Sequence, residues 1–186
     1  MCGRYLFYDE KNQKIRRLIQ IAETVLDPVV FSSVSLHDVY PSAHAFAGIY
    51  DPRSSSFHST IMKWGMPLKQ KDVINARSET FRTSPFFAKT RPCVLLCSGY
   101  YEWSKEHQKY YFSLEHEAMY LAGLYTFDGK ENVYTILTEE ACGKQAEIHP
   151  RQPIVLNEKN AQEWCADIRF PVHEHSIAER LQTKSE

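Results

Sequence analysis

The sequence lacks the segments that direct a protein into or across a membrane. None of its apolar runs approaches the length of a transmembrane helix. No secretory signal is recognisable near the start, because the charged residues Asp9, Glu10 and Lys11 directly follow Tyr8. We therefore expect an intracellular, cytoplasmic protein with no membrane partner.

The cysteines lack the number and spacing of a disulfide framework or a zinc site. There are five of them, an odd number, at irregular intervals. Cys93 and Cys97 form one close pair, but no second cysteine pair or matched histidine pair completes a zinc set. We expect reduced thiols, no metal and no cofactor, with Cys93, Cys97, Cys142 and Cys165 in structural roles.

The sequence also lacks an excess of positive charge. Its 22 Lys and Arg against 23 Asp and Glu give a net charge of −1, so any nucleic-acid site must be a local cluster of cations. Aromatic residues, in contrast, are abundant: they make up 13% of the chain, with 11 Tyr and 10 Phe. This abundance favours a strand-rich protein or a surface that stacks flat groups.

Short strands dominate the predicted secondary structure. Between 92 and 138, runs rich in β-branched and aromatic residues alternate with polar turns, which is typical of antiparallel hairpins. Asp9 and Asn157 are the expected N-caps of the first and last helices. Further strands are predicted over 43–50, 56–64 and 154–156, and helices over 11–26, 85–89, 139–147 and 158–166.

These elements predict one α+β domain over residues 1–186, since the length suits a single core and no repeat or linker divides it. The domain is expected to contain a curved, barrel-like antiparallel sheet with peripheral helices. Its last residues, about ten in number, are charged and expected to fray.

The start of the chain, Met1-Cys2-Gly3-Arg4, carries distinctive chemistry. Removal of Met1 leaves Cys2 with a free α-amine, whose reference pKa of roughly 7.7–8.0 keeps a useful fraction nucleophilic at neutral pH. Such an aminothiol captures an aldehyde as an imine, and the thiol then closes a five-membered thiazolidine ring. Nearby cations can lower the pKa of such a thiol. The alternative is an arbitrary cysteine at a frayed terminus.

Four further stretches carry candidate functional side chains, and each also has a purely structural interpretation. Asn75-Ala76-Arg77-x-Glu79 could be a surface loop with a local ion pair, and Glu102 in Gly99-Tyr100-Tyr101-Glu102-Trp103 could face solvent. His149 in Ile148-His149-Pro150-Arg151 is either a proton shuttle or a satisfied loop histidine. Trp64 in Lys63-Trp64-Gly65-x-Pro67 is either a core residue beside a turn or a stacking platform for an unpaired base.

Together the five stretches resemble the SOS response-associated peptidase family, also described as abasic-site processing proteins, and the motifs that contain Cys2, Asn75, Glu102 and His149 follow the family's order. The resemblance covers residues 1 to about 155. It implies that the mature N-terminal Cys2 traps the ring-opened aldehyde of an abasic site in single-stranded DNA as a thiazolidine crosslink. Lyase-like chemistry and self-removal of Met1 are part of the same expectation.

The resemblance also implies a role for each motif residue. Cys2 is the nucleophile, Asn75 positions the amine and the sugar, Glu102 acts as acid and base, and His149 assists opening of the sugar ring. The DNA-binding residues implied are Arg4, Trp64, Arg77 and Arg151, the arginines at phosphates and Trp64 against a base. The four catalytic residues are expected to converge beside the N-terminus.

Three departures from the family pattern concern residues that are expected to face the DNA, or residues that support them. Pro67 comes one residue early, and 68–73 contains no second tryptophan. Gln152 replaces a methionine, and Leu96-Cys97-Ser98 precedes the Glu102 strand where a proline and a polar residue are usual.

Two other functional classes fit the same residues. An N-terminal-nucleophile cysteine peptidase or amidohydrolase would use Cys2 to attack an amide, with its own α-amine as base. A non-catalytic single-stranded DNA-binding module would use the arginines and aromatics without Cys2. In each case we expect a monomer.

Overall fold

The computed structural model of the chain describes residues 2–54, 56–115 and 117–186. Strands dominate it, as the sequence predicts. In chain order they are β1 (Arg4–Leu6), β2 (Asp38–Val39), β3 (His44–Asp51), β4 (Ser56–Trp64), β5 (Met66–Leu68), β6 (Lys71–Val73), β7 (Asn75–Arg77), β8 (Arg91–Cys97), β9 (Gly99–Trp103), β10 (Lys109–Ser113), β11 (Met119–Phe127), β12 (Asn132–Glu140), β13 (Arg151–Pro153), β14 (Val155–Leu156) and β15 (Gln182–Ser185).

In the described part of the chain, four α-helices lie around the strands: α1 (Gln13–Val25), α2 (Pro28–Ser32), α3 (Gly143–Ile148) and α4 (Glu158–Ala166). Short 3-10 helices cover Pro85–Phe87, Val172–His175 and Ala178–Arg180. Within the described ranges, no helix is long and apolar enough to cross a membrane.

The larger sheet closes into a ring, which confirms the predicted barrel-like, α+β architecture. Its strands follow the order β13-β12-β4-β3-β8-β11-β14, and an additional pairing of β11 with β12 joins the two sides. Most pairings are antiparallel, but β4 and β7 both run parallel to β12. The pairing of β7 with β12 fixes the position of Asn75, one of the predicted catalytic residues, because β7 begins with it.

A second sheet of five strands, in the order β15-β10-β9-β1-β2, brings the N-terminal strand between two distant segments. All of its pairings are antiparallel. Opposite β1 on one side, Tyr5 faces Val39, and on the other side Arg4 faces Tyr101. The start of the chain is thereby held beside the Glu102 strand.

One buried cluster joins the two sheets. Tyr5 and Tyr100 from the small sheet belong to the same cluster as Trp64 and Tyr134 from the ring. The hydroxyls of Tyr5 and Tyr134 are 2.9 Å apart, so these buried polar groups are satisfied by each other. A second cluster packs α4 on the ring through Trp164.

Several predicted elements begin or end elsewhere in the structure. α1 begins at Gln13 because Asn12, not Asp9, caps it: Asn12 Oδ1 accepts a hydrogen bond of 3.2 Å from the amide of Ile15. Asp9 instead accepts from the amide of Lys11. α3 also begins later than predicted, because residues up to Glu140 belong to β12.

Three other segments differ in kind from the prediction. The segment after Pro28, expected to be irregular, starts with α2, for which Asp27 is the N-cap. Residues 75–77, expected as a loop, form β7 because they pair with β12. Residues 182–185, expected to fray, form β15 on the edge of β10. An edge strand offers unpaired backbone groups to any segment that can reach it.

The four cysteines predicted to have structural roles differ in exposure. Cys93, Cys97 and Cys165 are buried, while Cys142 is exposed at the start of α3. The described ranges contain no cluster of His, Cys, Asp or Glu side chains that could hold a metal ion.

Candidate active site around the N-terminal cysteine

Cys2 lies two residues before β1 and is fully buried. Its Sγ is 3.9 Å from the carbonyl oxygen of Arg4, and Asn75 Nδ2 donates a hydrogen bond of 2.9 Å to its carbonyl oxygen. Asn75 reaches this position because β7 pairs with β12, where Asn75 lies opposite Ile136. Two residues 73 positions apart in the chain are therefore in direct contact.

The turn before Asn75 depends on a glycine. Gly65 has a φ of +120°, a conformation that side chains with a Cβ rarely adopt. It ends β4 and starts the β5–β6 hairpin, whose return strand leads into Asn75. A Cβ at this position would also lie 2.9 Å from Cβ of Asp72. The Trp64-Gly65 dipeptide thus contributes to the site through the backbone.

Glu102 lies on the neighbouring strand β9 and is 7% exposed. Burial first, and the negative charge of Glu102 second, raise the pKa of the Cys2 thiol to about 12. The net shift of this pKa is upward, and Arg4 presents its carbonyl group to the sulfur, while its guanidinium pairs with Asp38. At neutral pH the thiol is protonated.

His149 completes the convergence of the four predicted catalytic side chains. Its Nδ1 lies 3.9 Å from Oε2 of Glu102. The same nitrogen is 2.9 Å from the carbonyl oxygen and 3.0 Å from the amide nitrogen of Arg151, and the tautomer decides which of these contacts is a hydrogen bond. Cys2, Asn75, Glu102 and His149 thus form one chain of contacts and charges.

Tyr100 is a neighbour of the site that the sequence analysis missed. Its hydroxyl donates to Oε1 of Gln145, and Gln145 Nε2 donates to the carbonyl of Ala178 at 3.1 Å. Burial, Cys2 and Glu102 raise the pKa of Tyr100 well above its usual value, so it remains a neutral donor. The signal was its position two residues before Glu102, because such residues share a face of a strand.

The predicted DNA-binding arginines are in three different situations. Arg77 is exposed, and its guanidinium forms no hydrogen bond or ion pair with another described residue. Arg4 forms an ion pair of 2.5 Å with Asp38. Arg151 forms a bidentate pair with Glu79, at 2.7 and 2.9 Å, and donates to the carbonyl of Thr138.

The Arg151–Glu79 pair links two of the sequence motifs directly. Glu79 follows the strand that carries Asn75, and Arg151 contacts the ring of His149 through its main chain. The guanidinium lowers the pKa of Glu79, so the pair is ionised at neutral pH. The structural alternative for this motif was a local pair of Arg77 with Glu79; in the structure Glu79 pairs with Arg151 instead.

The prediction that Trp64 stacks on a base is wrong for this conformation. Trp64 is fully buried, lies 6.1 Å from the ring of Tyr134 in a stacked arrangement, and donates from Nε1 to the carbonyl of Ile74. Its role is the structural alternative: it fills the core and supports the segment before Asn75.

Gln152, which departs from the family pattern, is buried, and both the nitrogen and the oxygen of its side-chain amide form hydrogen bonds. Its Nε2 donates to Glu139 at 2.9 Å, and its Oε1 accepts from the amide of Cys142 at 3.1 Å. These bonds tie β13 to the start of α3. The amide of Gln152 therefore supports the loop that carries His149.

The effect of Glu102 on the thiol can be tested by titration. Glu102→Gln removes the negative charge that helps raise the pKa of Cys2, so we expect this pKa to fall part of the way, because burial remains. Alkylation by iodoacetamide should then be faster at every pH below the pKa.

This alkylation is best measured in a Cys142→Ala background, because Cys142 is the exposed thiol among the described cysteines and would react first. Glu139→Gln is the control: Glu139 is another carboxylate shielded from solvent, though only partly buried, and it is not among the groups that raise the pKa of Cys2. An unchanged or slower reaction in Glu102→Gln would contradict the assignment.

Comparisons with known proteins agree with the arrangement of motifs. Residues 1–185 match the family described as SOS response associated peptidase (SRAP). The chain is 27% identical to the abasic site processing protein YoqW of Bacillus subtilis, over 88% of this chain and 80% of that protein. It is 25% identical to the abasic site processing protein YedK of Escherichia coli, over 88% of this chain and 79% of that protein.

Two further matches concern a longer relative and the fold. An abasic site processing protein of Saccharomyces cerevisiae is 30% identical over 65% of this chain, but the match spans only 37% of the yeast protein. The crystal structure of a phage-related protein from Bordetella bronchiseptica superimposes with a TM-score of 0.73 at 19% identity, covering 100% of this chain and 94% of that one.

Proposed function

This chain belongs to the SOS response associated peptidase (SRAP) family, and we propose that it processes abasic sites in single-stranded DNA by forming a covalent thiazolidine link through Cys2. Its relatives are named abasic site processing proteins. The observation that carries the proposal is the hydrogen bond from Asn75 to the Cys2 carbonyl beside Glu102 and His149. In this proposal the protein acts as a cytoplasmic monomer, without metal or cofactor.

The proposed reaction joins C1 of the opened sugar to two atoms of one residue. After Met1 is removed, the α-amine of Cys2 adds to the aldehyde and gives a carbinolamine, which loses water to form an imine. The sulfur then adds to the imine carbon, and the thiol proton ends on nitrogen. No electrons leave or enter, so the sequence requires acids and bases but no redox partner.

In this proposal Glu102 carries these protons. Because the thiol is protonated at neutral pH, its attack on the imine carbon must be accompanied by proton transfer. A carboxylate whose charge acts on the sulfur can accept that proton and return it to nitrogen. His149, whose Nδ1 is 3.9 Å from Oε2 of Glu102, protonates the sugar ring oxygen in this proposal when the ring opens.

In this proposal Asn75 orients the α-amine of Cys2. Its Nδ2 holds the Cys2 carbonyl, which limits rotation of the residue that carries both nucleophiles. Its Oδ1 is buried without a hydrogen-bond partner among the described residues. A buried acceptor of this kind is costly unless a ligand satisfies it, and the α-amine or a sugar hydroxyl can do so.

The proposal is tested by mixing the mature protein with a single strand that carries one abasic site and separating the products under denaturing conditions. A DNA-linked protein band is expected. The same strand with an intact base, or with a tetrahydrofuran analogue that has no aldehyde, should give none. Equal bands with all three strands would contradict a reaction at the aldehyde.

Arg77 is expected to bind DNA rather than take part in the chemistry. It is exposed and forms no ion pair within the described part of the chain, so its charge is available to a phosphate. Arg77→Ala should weaken binding. It should also make the plot of log affinity against log salt concentration less steep by about one unit, which corresponds to the loss of one phosphate contact. The crosslinking rate at saturating DNA should change little.

Salt-dependent binding by fluorescence anisotropy measures this effect on the strand with the tetrahydrofuran analogue. Arg169→Ala is a suitable control, because Arg169 is also exposed but is paired with Asp167 beyond α4. An unchanged salt slope for Arg77→Ala would remove Arg77 from the proposed interface.

A peptidase that removes its own Met1 is the second candidate, because the matching family is described as a peptidase. The geometry gives it less support. A buried, protonated thiol is a weak nucleophile towards an amide, whereas capture of an aldehyde begins with the amine.

A further inference from the structure

An exposed aromatic ring lies beside the strand that begins after Cys2. Tyr40 directly follows β2, and β2 pairs with β1 so that Val39 lies opposite Tyr5. The carbonyl of Tyr40 accepts a hydrogen bond of 3.1 Å from the amide of Ala43, which fixes the turn around Pro41. The ring is therefore carried by a defined backbone, yet the residue is 48% exposed.

Arg4 covers part of this ring and connects it to the site. The centre of its guanidinium is 5.3 Å from the Tyr40 ring and 4.3 Å from the Tyr101 ring. Asp38 holds the guanidinium through its ion pair. The carbonyl group of the same Arg4 is 3.9 Å from the Cys2 sulfur, so one residue contacts both the Tyr40 ring and the reacting sulfur.

Tyr40 also stands out by location among the exposed aromatic side chains. The described ranges contain three large ones: Tyr40, Phe57 and Phe127. Phe57 is in β4 and Phe127 ends β11, both in the ring. Of these three, only Tyr40 adjoins the small sheet that carries Cys2 and Glu102. Trp64, which the sequence suggested for contact with a base, is buried and cannot offer its face.

From this arrangement we propose that Tyr40 is the binding site for the unpaired base next to the abasic site, which stacks on its exposed ring. The inference rests on the proposed function, since it assumes that a single strand enters the Cys2 site. The ligand class is a nucleobase, and stacking on a π-face accepts any of the four bases. A purine offers the larger surface.

The charges around the ring suit a neutral, flat ligand. Arg4 is paired with Asp38, so its positive charge is largely compensated and the stack would attract phosphate weakly. The guanidinium still fixes the ring plane from one side, which lowers the entropy that must be lost on binding. Tyr40 would thus supply base contact, while Arg77 supplies backbone contact.

The test uses single strands in which the fluorescent adenine analogue 2-aminopurine lies next to a tetrahydrofuran site, on the 5′ side in one strand and on the 3′ side in another. Stacking on an aromatic ring quenches 2-aminopurine. The wild-type protein should quench it in one of the two strands. Tyr40→Leu should lose this quenching and bind about fivefold or more weakly. Tyr40→Phe, which keeps the ring, should behave as wild type.

A second comparison separates stacking from a general loss of folding. The wild-type protein should bind a strand that lacks the neighbouring base more weakly than the complete strand. Tyr40→Leu, which has no ring to stack on, should bind these two strands with equal affinity. Phe127→Ala, which removes an exposed aromatic side chain from the other sheet, should keep both quenching and base dependence.

Two outcomes would overturn the inference in different ways. If Tyr40→Leu crosslinks and quenches as the wild type does, Tyr40 does not hold the base, and the proposed function is unaffected. If the wild-type protein binds neither strand and forms no crosslink with an abasic strand, the proposed function fails and the inference fails with it.

Discussion

Cys2→Ala is expected to abolish the denaturation-resistant product with abasic single-stranded DNA. Alanine keeps the α-amine, so an imine can still form, but no sulfur is available to close the ring. An imine returns to amine and aldehyde in water, and little of it should survive denaturation. The yield should fall from most of the DNA to background on a denaturing gel.

The structure offers two controls for this variant. Cys142→Ala removes an exposed thiol and should leave the yield unchanged, which excludes attack by an arbitrary surface cysteine. Trapping with borohydride should recover the imine of Cys2→Ala as a stable secondary amine, because that step needs only the α-amine. A wild-type yield without borohydride would contradict the assignment of Cys2.

The fold of Cys2→Ala should remain intact, although Cys2 is a core residue. Removing one buried sulfur costs stability on the order of 1–2 kcal/mol through lost packing. Equilibrium binding to the strand with the tetrahydrofuran analogue should therefore persist. This measurement also separates a crosslinking protein from a non-catalytic binding module, for which Cys2→Ala would change nothing.

The sequence could predict the strands and which residues form the site, but not which distant residues each of those side chains contacts. Asn157 caps α4 as expected, because a cap and its helix are local. Glu79, in contrast, pairs with Arg151 from 72 positions away. No local pattern reports such a contact. It depends on how β7 and β13 both align with β12.

Trp64 shows why a stacking residue is hard to assign from sequence. Its position in β4 is compatible with either face of the strand. The parallel pairing that places Trp64 opposite Tyr134 turns the indole into the core. Tyr40, in a stretch expected to be irregular, carried no signal until β2 was seen to pair with β1.

The pKa of Cys2 has the same long-range origin. A terminal cysteine suggests an exposed thiol, yet β1 is a central strand with β9 on one side and β2 on the other. The core that encloses the segment just before β1 removes water from the sulfur, and the register of β1 with β9 brings Glu102 close. Both effects raise the pKa, and neither is visible in the four residues at the start.

Blocking the α-amine is expected to be as damaging as removing the thiol. While a residue precedes Cys2, its nitrogen belongs to a planar amide, whose lone pair is delocalised and not nucleophilic. The thiol alone can add to the aldehyde only as a hemithioacetal, which reverses on denaturation. A chain with an N-terminal tag should therefore give no thiazolidine, and proteolytic removal of the tag to expose Cys2 should restore the full yield.

Intact mass spectrometry measures this directly, because a thiazolidine adduct weighs as much as protein and DNA together less one water. A thiazolidine mass on the uncleaved tagged chain would contradict the requirement for the amine. The tagged chain also tests self-cleavage. If the tag is lost without added protease, and Cys2→Ala retains it, the thiol attacks the preceding amide. The buried, protonated state of the thiol leads us to expect that the tag remains.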